Sequence, residues 1–385
     1  MIKVATIIGA RPQIIKAAAI SRAINTLFRD CIAEVIIHTG QHYDEEMSEV
    51  FFKELGIPRP HYNLNTRSAS PAQQVSQMMN GIEEILLKEK PQAVILYGDT
   101  NSTLAGSLTS SGLNIPVIHI EAGLRSYNKS MPEEINRIVC DHVSTLLFVP
   151  TRQGVENLMK EGFSAQALPP FNKNQPGVFH CGDIMYDNSL YFSSLSGKRT
   201  TIIERMQLEE GKYVLSTIHR GYNTDVPERL SSLFRALCGI ASETNTKILL
   251  PLHPRTSKMM ESSLEKDLLQ RIRENPLIII TKPVSFLEMI ELEKNAMLIM
   301  TDSGGVQKEA YFFGKPCIIL RSETEWVELV ENGNAVIADA DERKIMEAFK
   351  HFRNIKGLGY PPIYGDGHAA EFICNEIVRN FSGKP

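Results

Sequence analysis

Residues 94–106 read VILYGDTNSTLAG, and this stretch sets the fold class. An apolar run that begins with Val94 and Ile95 ends at Gly98, and polar residues that favour the start of a helix follow at once. Because the run is apolar on both of its faces, it predicts a parallel strand that is covered by helices. The stretch therefore predicts a strand, a tight turn and a helix, which is the repeating unit of a doubly wound α/β sheet.

The same unit recurs along the chain in two series. The first predicts strands at 3–8, 34–38, 93–97, 117–120 and 145–149, and the second at 213–218, 247–250, 277–281, 297–301 and 317–320. Each series has about the size of one Rossmann-like unit. The Pro- and Asn-rich stretch 165–178 lacks apolar periodicity and predicts a linker. We therefore expect one domain at 1–170, a second at 178–364, and a terminal helix within 365–385.

Bulk properties limit the classes of partner. The chain has 385 residues, enough for two domains, and its 41 basic and 45 acidic residues give a net charge of −4. That balance supports neither a nucleic-acid nor a membrane partner. The six scattered cysteines predict reduced thiols, and the N-terminal apolar run is too short for a signal peptide. We expect a soluble, cytoplasmic protein.

Acidic residues at the predicted strand ends suggest proton transfer, because ligands of open α/β sheets bind at the carboxyl ends of strands. Asp99 follows one strand, where it could equally be a helix cap. Glu121 ends the apolar run 117–120, which capping does not explain. Glu133 lies four residues before Arg137, so the two could pair on one helix face. Three converging carboxylates would shift one another's pKa and supply both an acid and a base.

Basic residues of the first series could bind an anion. Arg11 and Lys16 follow the turn at Gly9 and would lie near the N-terminus of a helix, which favours negative charge. The functional interpretation is stabilisation of a phosphate or of transition-state charge. The structural alternative is a pair of solvated cations.

The second series offers further candidates for phosphate contact. His219 and Arg220 follow one predicted strand, and His253 follows the next, although a single histidine is more often structural. The sequence TDSGG at 301–305 brings Ser303 and two glycines to the start of a helix, where backbone N–H groups could approach a diphosphate. Glu309 lies one turn into that helix and suits a ribose diol.

Several motifs are missing from the sequence. It has no Walker A loop, no H-E-x-x-H motif, no Cys/His metal set, and no G-x-G-x-x-G after the first strand. The absence of these motifs argues against binding of NAD, and we expect neither a cofactor nor a metal.

Seven segments together resemble the non-hydrolysing UDP-N-acetylglucosamine 2-epimerases, and they follow the family order from residue 7 to about 328: GARPQIIK, TGQHYDEEM, GDTNSTLAG, HIEAGLR, MPEEINR, TDSGGVQKEA with FGKPC, and ETEWVE. The resemblance implies a glycosyltransferase-B-type fold, with two Rossmann-like doubly wound domains facing a cleft. It also implies a homodimer and a C-terminal helix that returns to the first domain. The implied reaction interconverts UDP-GlcNAc and UDP-ManNAc, for cell-surface polysaccharide precursors, without nicotinamide or metal.

The resemblance also implies roles for individual residues. The catalytic set would be Asp99, Glu121, Glu133 and His219. The substrate-binding set would be Arg11, Lys16, Arg137, Ser303, Gly304, Gly305 and Glu309, with Glu309 on the ribose. Arg220 and His253 are added to this set because of their positions after predicted strands. Which carboxylate is the base in which direction stays open.

The chain departs from the family pattern in places. Trp326 stands where many members have an arginine, and GARPQ, MPEEINR and ETEWVE are closer to a subgroup that acts on UDP-2,3-diacetamido-2,3-dideoxyglucuronate in O-antigen synthesis. That epimerase is the first alternative function. In bacterial members the segment that corresponds to 41–47 forms an allosteric pocket. Its sequence is altered in this chain, so whether the substrate activates the enzyme stays an open question.

Three further functions are compatible with such a fold. A UDP-sugar glycosyltransferase would use the same nucleotide site, but three carboxylates crowded at the sugar argue against it. A non-catalytic UDP-sugar sensor would not need those carboxylates. A hydrolysing epimerase would let water capture the reaction intermediate.

Overall fold

The computed structural model describes residues 1–40, 56, 58–66 and 70–383. The chain divides into two compact units. Unit 1 comprises Met1–Asn188 together with Pro362–Pro385, and unit 2 comprises Ser189–Pro361. The segment 41–47 of the sequence analysis lies outside the described residues.

Unit 1 contains a parallel sheet, which has seven strands in the described part of the chain. They are β1 (Ile2–Ile8), β2 (Ile32–His38), β3 (Tyr62–Asn63), β4 (Ala93–Tyr97), β5 (Val117–Ile120), β6 (Leu146–Val149) and β7 (Gly177–His180). Their order in the sheet is β3-β2-β1-β4-β5-β6-β7. The order reverses direction between β1 and β4, and the crevice at the carboxyl ends of strands there is where such sheets bind ligands.

Helices connect these strands and cover the sheet. They are α1 (Arg11–Leu27), α2 (Pro71–Glu89), α3 (Asn101–Gly112), α4 (Pro132–Val143), α5 (Arg152–Lys160) and α6 (Ile184–Arg199). Ile7, Val94 and Leu96 of the sheet pack with Met78 and Ile82 of α2 in one apolar cluster. All five residues of β4 are buried, which explains why this strand is apolar on both faces.

The turn after β1 requires a glycine. A Cβ on Gly9 would lie 2.1 Å from both Ser102 Oγ and Thr39 Oγ1. Gln13 of α1 fastens the turn, since its Oε1 accepts from Gly9 N at 2.9 Å and its Nε2 donates to Tyr97 O at 2.9 Å. Gln13 thereby joins the carboxyl ends of β1 and β4.

Unit 2 contains a second parallel sheet. Its strands are β8 (Tyr213–Thr217), β9 (Lys247–Pro251), β10 (Ile278–Thr281), β11 (Leu298–Thr301), β12 (Cys317–Ile319) and β13 (Ala335–Ile337), in the order β10-β9-β8-β11-β12-β13. Its helices are α7 (Ile202–Arg205), α8 (Gly221–Thr224), α9 (Pro227–Thr244), α10 (Pro254–Ser263), α11 (Lys266–Glu274), α12 (Phe286–Asn295), α13 (Gly304–Phe312), α14 (Val327–Glu331) and α15 (Glu342–Asn354). Two doubly wound parallel sheets confirm the predicted α/β fold class.

The unit boundary differs from the predicted one. Residue 178, where we expected the second domain to begin, lies inside β7, which pairs with β6 of the unit 1 sheet. The Pro- and Asn-rich stretch before it is a loop of unit 1, and the boundary lies within α6. Sequence periodicity missed β3, β7 and β13, because β3 has two residues and the other two are short strands with only part of their residues buried.

The C-terminal helix α16 (Ala369–Phe381) belongs to unit 1 and packs on α1. Asp187 accepts hydrogen bonds from Ala369 N at 3.2 Å and Ala370 N at 2.8 Å, so its carboxylate caps the start of α16. Apolar spacing alone could not choose between the two units.

The six cysteines are free thiols. Of the helices within the described ranges, none combines the length and the apolarity that crossing a membrane requires.

Candidate active site

Asp99 lies directly after β4, beyond the left-handed turn at Gly98. The N-cap of α3 is Thr100, whose Oγ1 accepts from Thr103 N at 3.4 Å. The Asp99 carboxylate instead forms an ion pair with Arg137 of α4. Of the two interpretations of Asp99, the structure therefore excludes the helix cap.

The surroundings of Asp99 favour its protonated form. Burial is the largest influence and raises the pKa of its carboxyl group. Arg137 and Lys16 lower the pKa, while Glu121 and Glu133 raise it, and the net effect is upward. A carboxyl group whose pKa is raised in this way holds a proton more readily than a carboxyl group in water, which suits a general acid or base.

Glu121 follows β5 with a φ of 70°, a conformation that is rare for residues other than glycine. Its Oε1 lies 2.5 Å from Lys16 Nζ, and the two side chains are 10% and 12% exposed. A Cβ on Gly98 would lie 3.3 Å from Glu121 Oε1 and 3.2 Å from Lys16 Nζ. The ion pair therefore lies over the turn that precedes Asp99, which explains why an apolar strand ends in a glutamate.

Glu134 is a site residue that the sequence analysis missed. It is buried, and it accepts from Ser126 N at 2.8 Å, from Tyr127 N at 2.9 Å and from Arg137 Nη1 at 3.3 Å. Although burial raises the pKa of Glu134, the hydrogen bonds from Ser126 and Tyr127 and the Arg137 charge lower it below its usual value. Glu133, its exposed neighbour in the first turn of α4, influences the pKa of Asp99. Nothing in the local sequence shows which of two adjacent glutamates faces inward.

In unit 2, Asp302 organises the residues that follow β8. It is fully buried and accepts from His219 N at 3.1 Å, Arg220 N at 3.0 Å and Asn223 Nδ2 at 3.2 Å. The His219 side chain, 46% exposed, also approaches Asp302 Oδ1 with its Nδ1 at 3.2 Å. His219 and Arg220 could be selected from the sequence, but the aspartate that accepts hydrogen bonds from both could not, because Asp302 follows a different strand.

Burial lowers the pKa of His219, and Arg220 and His253 lower it further, against the opposing charge of Asp302. The net lowering favours a neutral imidazole near pH 7. His253 itself caps α10, since its Nδ1 accepts from Arg255 N at 3.3 Å. His253 therefore has a structural role as a helix cap, which is the alternative to ligand contact.

The start of α13 follows β11 as the sequence predicted. Ser303 precedes the helix and its N–H donates to Thr301 Oγ1 at 2.9 Å. A Cβ on Gly304 would lie 3.6 Å from both Glu325 Oε2 and Trp326 Nε1. The Lys308 ammonium lies 4.1 Å from the centre of a Trp326 ring. The indole at position 326 therefore borders the glycine-rich helix start.

Glu309 is 8% exposed on α13 and adjoins Glu293 of α12, which is fully buried. Burial raises the pKa of Glu293 well above its usual value, and Glu309 raises it further. The raised pKa favours the protonated form of Glu293 beside the Glu309 carboxylate. Glu293 could not be selected from the sequence, because it lies on a different helix from Glu309.

Arg11 is exposed at the first position of α1. Among the described residues, no group of three or more His, Cys, Asp or Glu side chains is arranged to hold a metal ion.

The family model of UDP-N-acetylglucosamine 2-epimerase matches residues 27–378. A UDP-N-acetylglucosamine 2-epimerase homolog of Methanococcus maripaludis is 46% identical, covering 98% of this chain and 99% of that protein. The UDP-2,3-diacetamido-2,3-dideoxy-D-glucuronate 2-epimerase of Pseudomonas aeruginosa is 44% identical, with the same coverage of 98% and 99%.

Among solved structures, the Methanocaldococcus jannaschii UDP-GlcNAc 2-epimerase in complex with UDP-GlcNAc and UDP is similar, with a TM-score of 0.84 and 39% identity. The match covers 98% of this chain and 100% of that one. This likeness confirms the predicted two-domain fold of the glycosyltransferase-B type. The chain belongs to the UDP-N-acetylglucosamine 2-epimerase family.

Proposed function

We propose that this enzyme interconverts UDP-GlcNAc and UDP-ManNAc by inverting the sugar at carbon 2. The observation that carries the proposal is that two carboxyl groups at adjacent strand ends, one half-buried and one buried, are each paired with a cation from a neighbouring helix. Asp99 is paired with Arg137, and Glu121 with Lys16. Such a set can transfer protons at a carbon atom and stabilise the charge that develops there.

The chemistry requires the nucleotide to leave first, because the proton on C2 has no adjacent carbonyl group and is not acidic. The bond between C1 and the diphosphate oxygen breaks, and its electron pair leaves with UDP. The oxocarbenium character at C1 then acidifies C2–H. A carboxylate takes the proton, which leaves a glycal with a C1–C2 double bond. Protonation of C2 from the opposite face and return of UDP to C1 complete the inversion.

The residues divide between these tasks. In our proposal, Asp99 and Glu121 transfer the protons at C2. Arg137 and Lys16 stabilise the ionised forms of these two carboxyl groups. Glu133 contributes to the same electrostatic field, because it influences the pKa of Asp99.

The diphosphate would be bound by backbone N–H groups at the start of α13, after Ser303, together with His219 and Arg220. A helix N-terminus and backbone donors stabilise negative charge as it develops on a leaving diphosphate. Glu309 would hold the ribose. We further propose a homodimer in the cytoplasm that supplies precursors for cell-surface polysaccharides, and light scattering of the purified protein tests the dimer.

A second candidate substrate is UDP-2,3-diacetamido-2,3-dideoxyglucuronate, which differs from UDP-GlcNAc at C3 and C6. Two observations favour it: the 44% identity to the Pseudomonas aeruginosa enzyme, and Trp326 beside the helix start in unit 2. The C2 chemistry is the same for both sugars.

The test is solvent exchange at C2. The purified protein is incubated with each UDP-sugar in deuterated water, and NMR then follows deuterium at C2 and the appearance of the epimer. We expect exchange with at least one of the two sugars, and the faster one identifies the substrate. No exchange with either would refute the proposed function, while accumulation of free sugar and UDP would show hydrolysis instead.

Single substitutions assign the proton-transfer groups. We expect Asp99→Asn and Glu121→Gln to lower exchange at least 10²-fold, with UDP affinity unchanged by calorimetry. The matched control is Glu84→Gln, which alters an exposed carboxylate on α2 of the same unit. Turnover near that of the control would remove the substituted residue from the mechanism.

A further inference from the structure

His119, on β5, is completely buried and has an acceptor at each ring nitrogen. Its Nδ1 lies 2.7 Å from Asp141 Oδ1, and its Nε2 lies 2.8 Å from the Gly98 carbonyl oxygen. A carbonyl oxygen can only accept, so Nε2 must carry a hydrogen. Asp141 also accepts from Arg125 Nη1 at 2.7 Å, which favours its ionised form and places a hydrogen on Nδ1 as well.

The charges around His119 balance. Arg125 makes a bidentate contact with Glu161, with Nε to Oε1 at 2.6 Å and Nη2 to Oε2 at 2.7 Å, and only 1% of its side chain is exposed. The network therefore contains two cations, His119 and Arg125, and two anions, Asp141 and Glu161. Burial opposes the charge of His119, yet Cys140 and Asp141 raise its pKa well above the usual value. A paired network of this kind can hold an imidazolium inside a protein.

This network contacts the backbone of both turns that carry the proposed acid and base. Gly98, whose carbonyl accepts from His119, immediately precedes Asp99. Gly123, two residues after Glu121, donates its N–H to Asp141 Oδ2 at 3.2 Å. The turn at Glu121 has a left-handed backbone, which persists only where the surroundings hold it.

We propose that doubly protonated His119 is a positioning residue that, together with Asp141, holds the turns of Asp99 and Glu121 at the spacing that proton transfer at C2 requires. The inference rests on the proposed function, and it adds a role for residues that touch neither the sugar nor the nucleotide. Positioning of reacting groups to within about an ångström affects turnover far more than binding.

The test compares His119→Gln and His119→Phe with the control His142→Gln. Glutamine can still donate to Gly98 O, whereas phenylalanine can donate to neither acceptor. His142 touches the same network, at Glu161 Oε2, but its side chain is 45% exposed. We expect kcat per folded molecule to fall in the order control, glutamine, phenylalanine. The last should lose at least 10²-fold, with the Kd for UDP within twofold of the unsubstituted protein. A kcat for His119→Phe within threefold of the control would overturn the proposal.

A measurement on the unsubstituted protein covers the case in which these variants do not fold. Histidine-selective 15N labelling reports the protonation of each ring nitrogen, and we expect both nitrogens of His119 to carry hydrogen from pH 6 to pH 9. A ring nitrogen without hydrogen in that range would overturn the proposal. The proposed function fails separately, if the unsubstituted protein shows no deuterium exchange at C2 while the 15N spectrum still shows the doubly protonated ring.

Discussion

The Lys16–Glu121 ion pair should stabilise unit 1 as well as serve the proposed chemistry, and Lys16→Met tests this. The two side chains are 12% and 10% exposed, and the atoms that join them are 2.5 Å apart. Removing one partner of a buried ion pair costs about 3 kcal/mol, because the remaining charge loses its compensation in a medium of low polarity. We expect the free energy of unfolding of unit 1 to fall by about that amount.

The assay is urea unfolding at pH 7.5, followed by circular dichroism. The matched control is Lys3→Met, the same substitution at an ion pair between Lys3 and Glu89 with a similar separation of 3.0 Å, in which the lysine is 42% exposed. We expect a clearly smaller effect there, since water screens an exposed pair. The double variant Lys16→Met/Glu121→Gln should recover part of the loss, because it removes the carboxylate charge too.

Two results would refute this reasoning about the ion pair. One is a loss for Lys16→Met no larger than that for Lys3→Met. The other is a double variant that is no more stable than Lys16→Met alone, which would mean that packing of the lysine stem, not its charge, provides the stability.

Three further predictions follow from the geometry of unit 1. Arg137→Met should raise the pKa of Asp99 further, since Arg137 lowers it, so the acid limb of the kcat/KM profile should move to higher pH; an unmoved limb would show that Asp99 does not titrate in it. Gly9→Ala should destabilise the protein by about 2 kcal/mol in urea, because the new Cβ would lie 2.1 Å from two buried hydroxyl oxygens. Burial raises the pKa of Asp187 to about 6 from 3.8, so the folded state holds the proton more tightly than the unfolded state does. The free energy of unfolding should therefore gain about 2.4 kcal/mol from this group as the pH falls from 7 to 4, and Asp187→Asn should remove that gain.

The strands that could be predicted from the sequence were those marked by a local run of apolar residues. Mainly apolar runs at 93–97 and 213–218, each followed by glycine or polar residues, identified the central strands of both sheets, since strands that are buried on both faces are mostly apolar. The short outer strands β3 and β13 escaped prediction for the converse reason, since they are short and mostly not buried and therefore lack a long apolar run.

The site residues that could be predicted from the sequence are those that directly follow a strand. Asp99 and Glu121 could be selected because the carboxyl ends of β4 and β5 meet at one edge of the sheet. Residues that act by contact with another element could not be selected. Glu134 differs from its neighbour Glu133 only in the direction it faces, and Glu293 approaches Glu309 from a separate helix.

The amino-acid sequence by itself determined the class of fold, the family and the strand ends where the chemistry would lie, because periodicity and short motifs are local properties of the chain. Only the tertiary structure decided that Arg137 pairs with Asp99, that Lys16 pairs with Glu121, and that buried His119 binds the turn before one of these carboxylates. Pairing and burial depend on residues that are far apart along the chain, so the charge and position of each acid are set by the folded molecule.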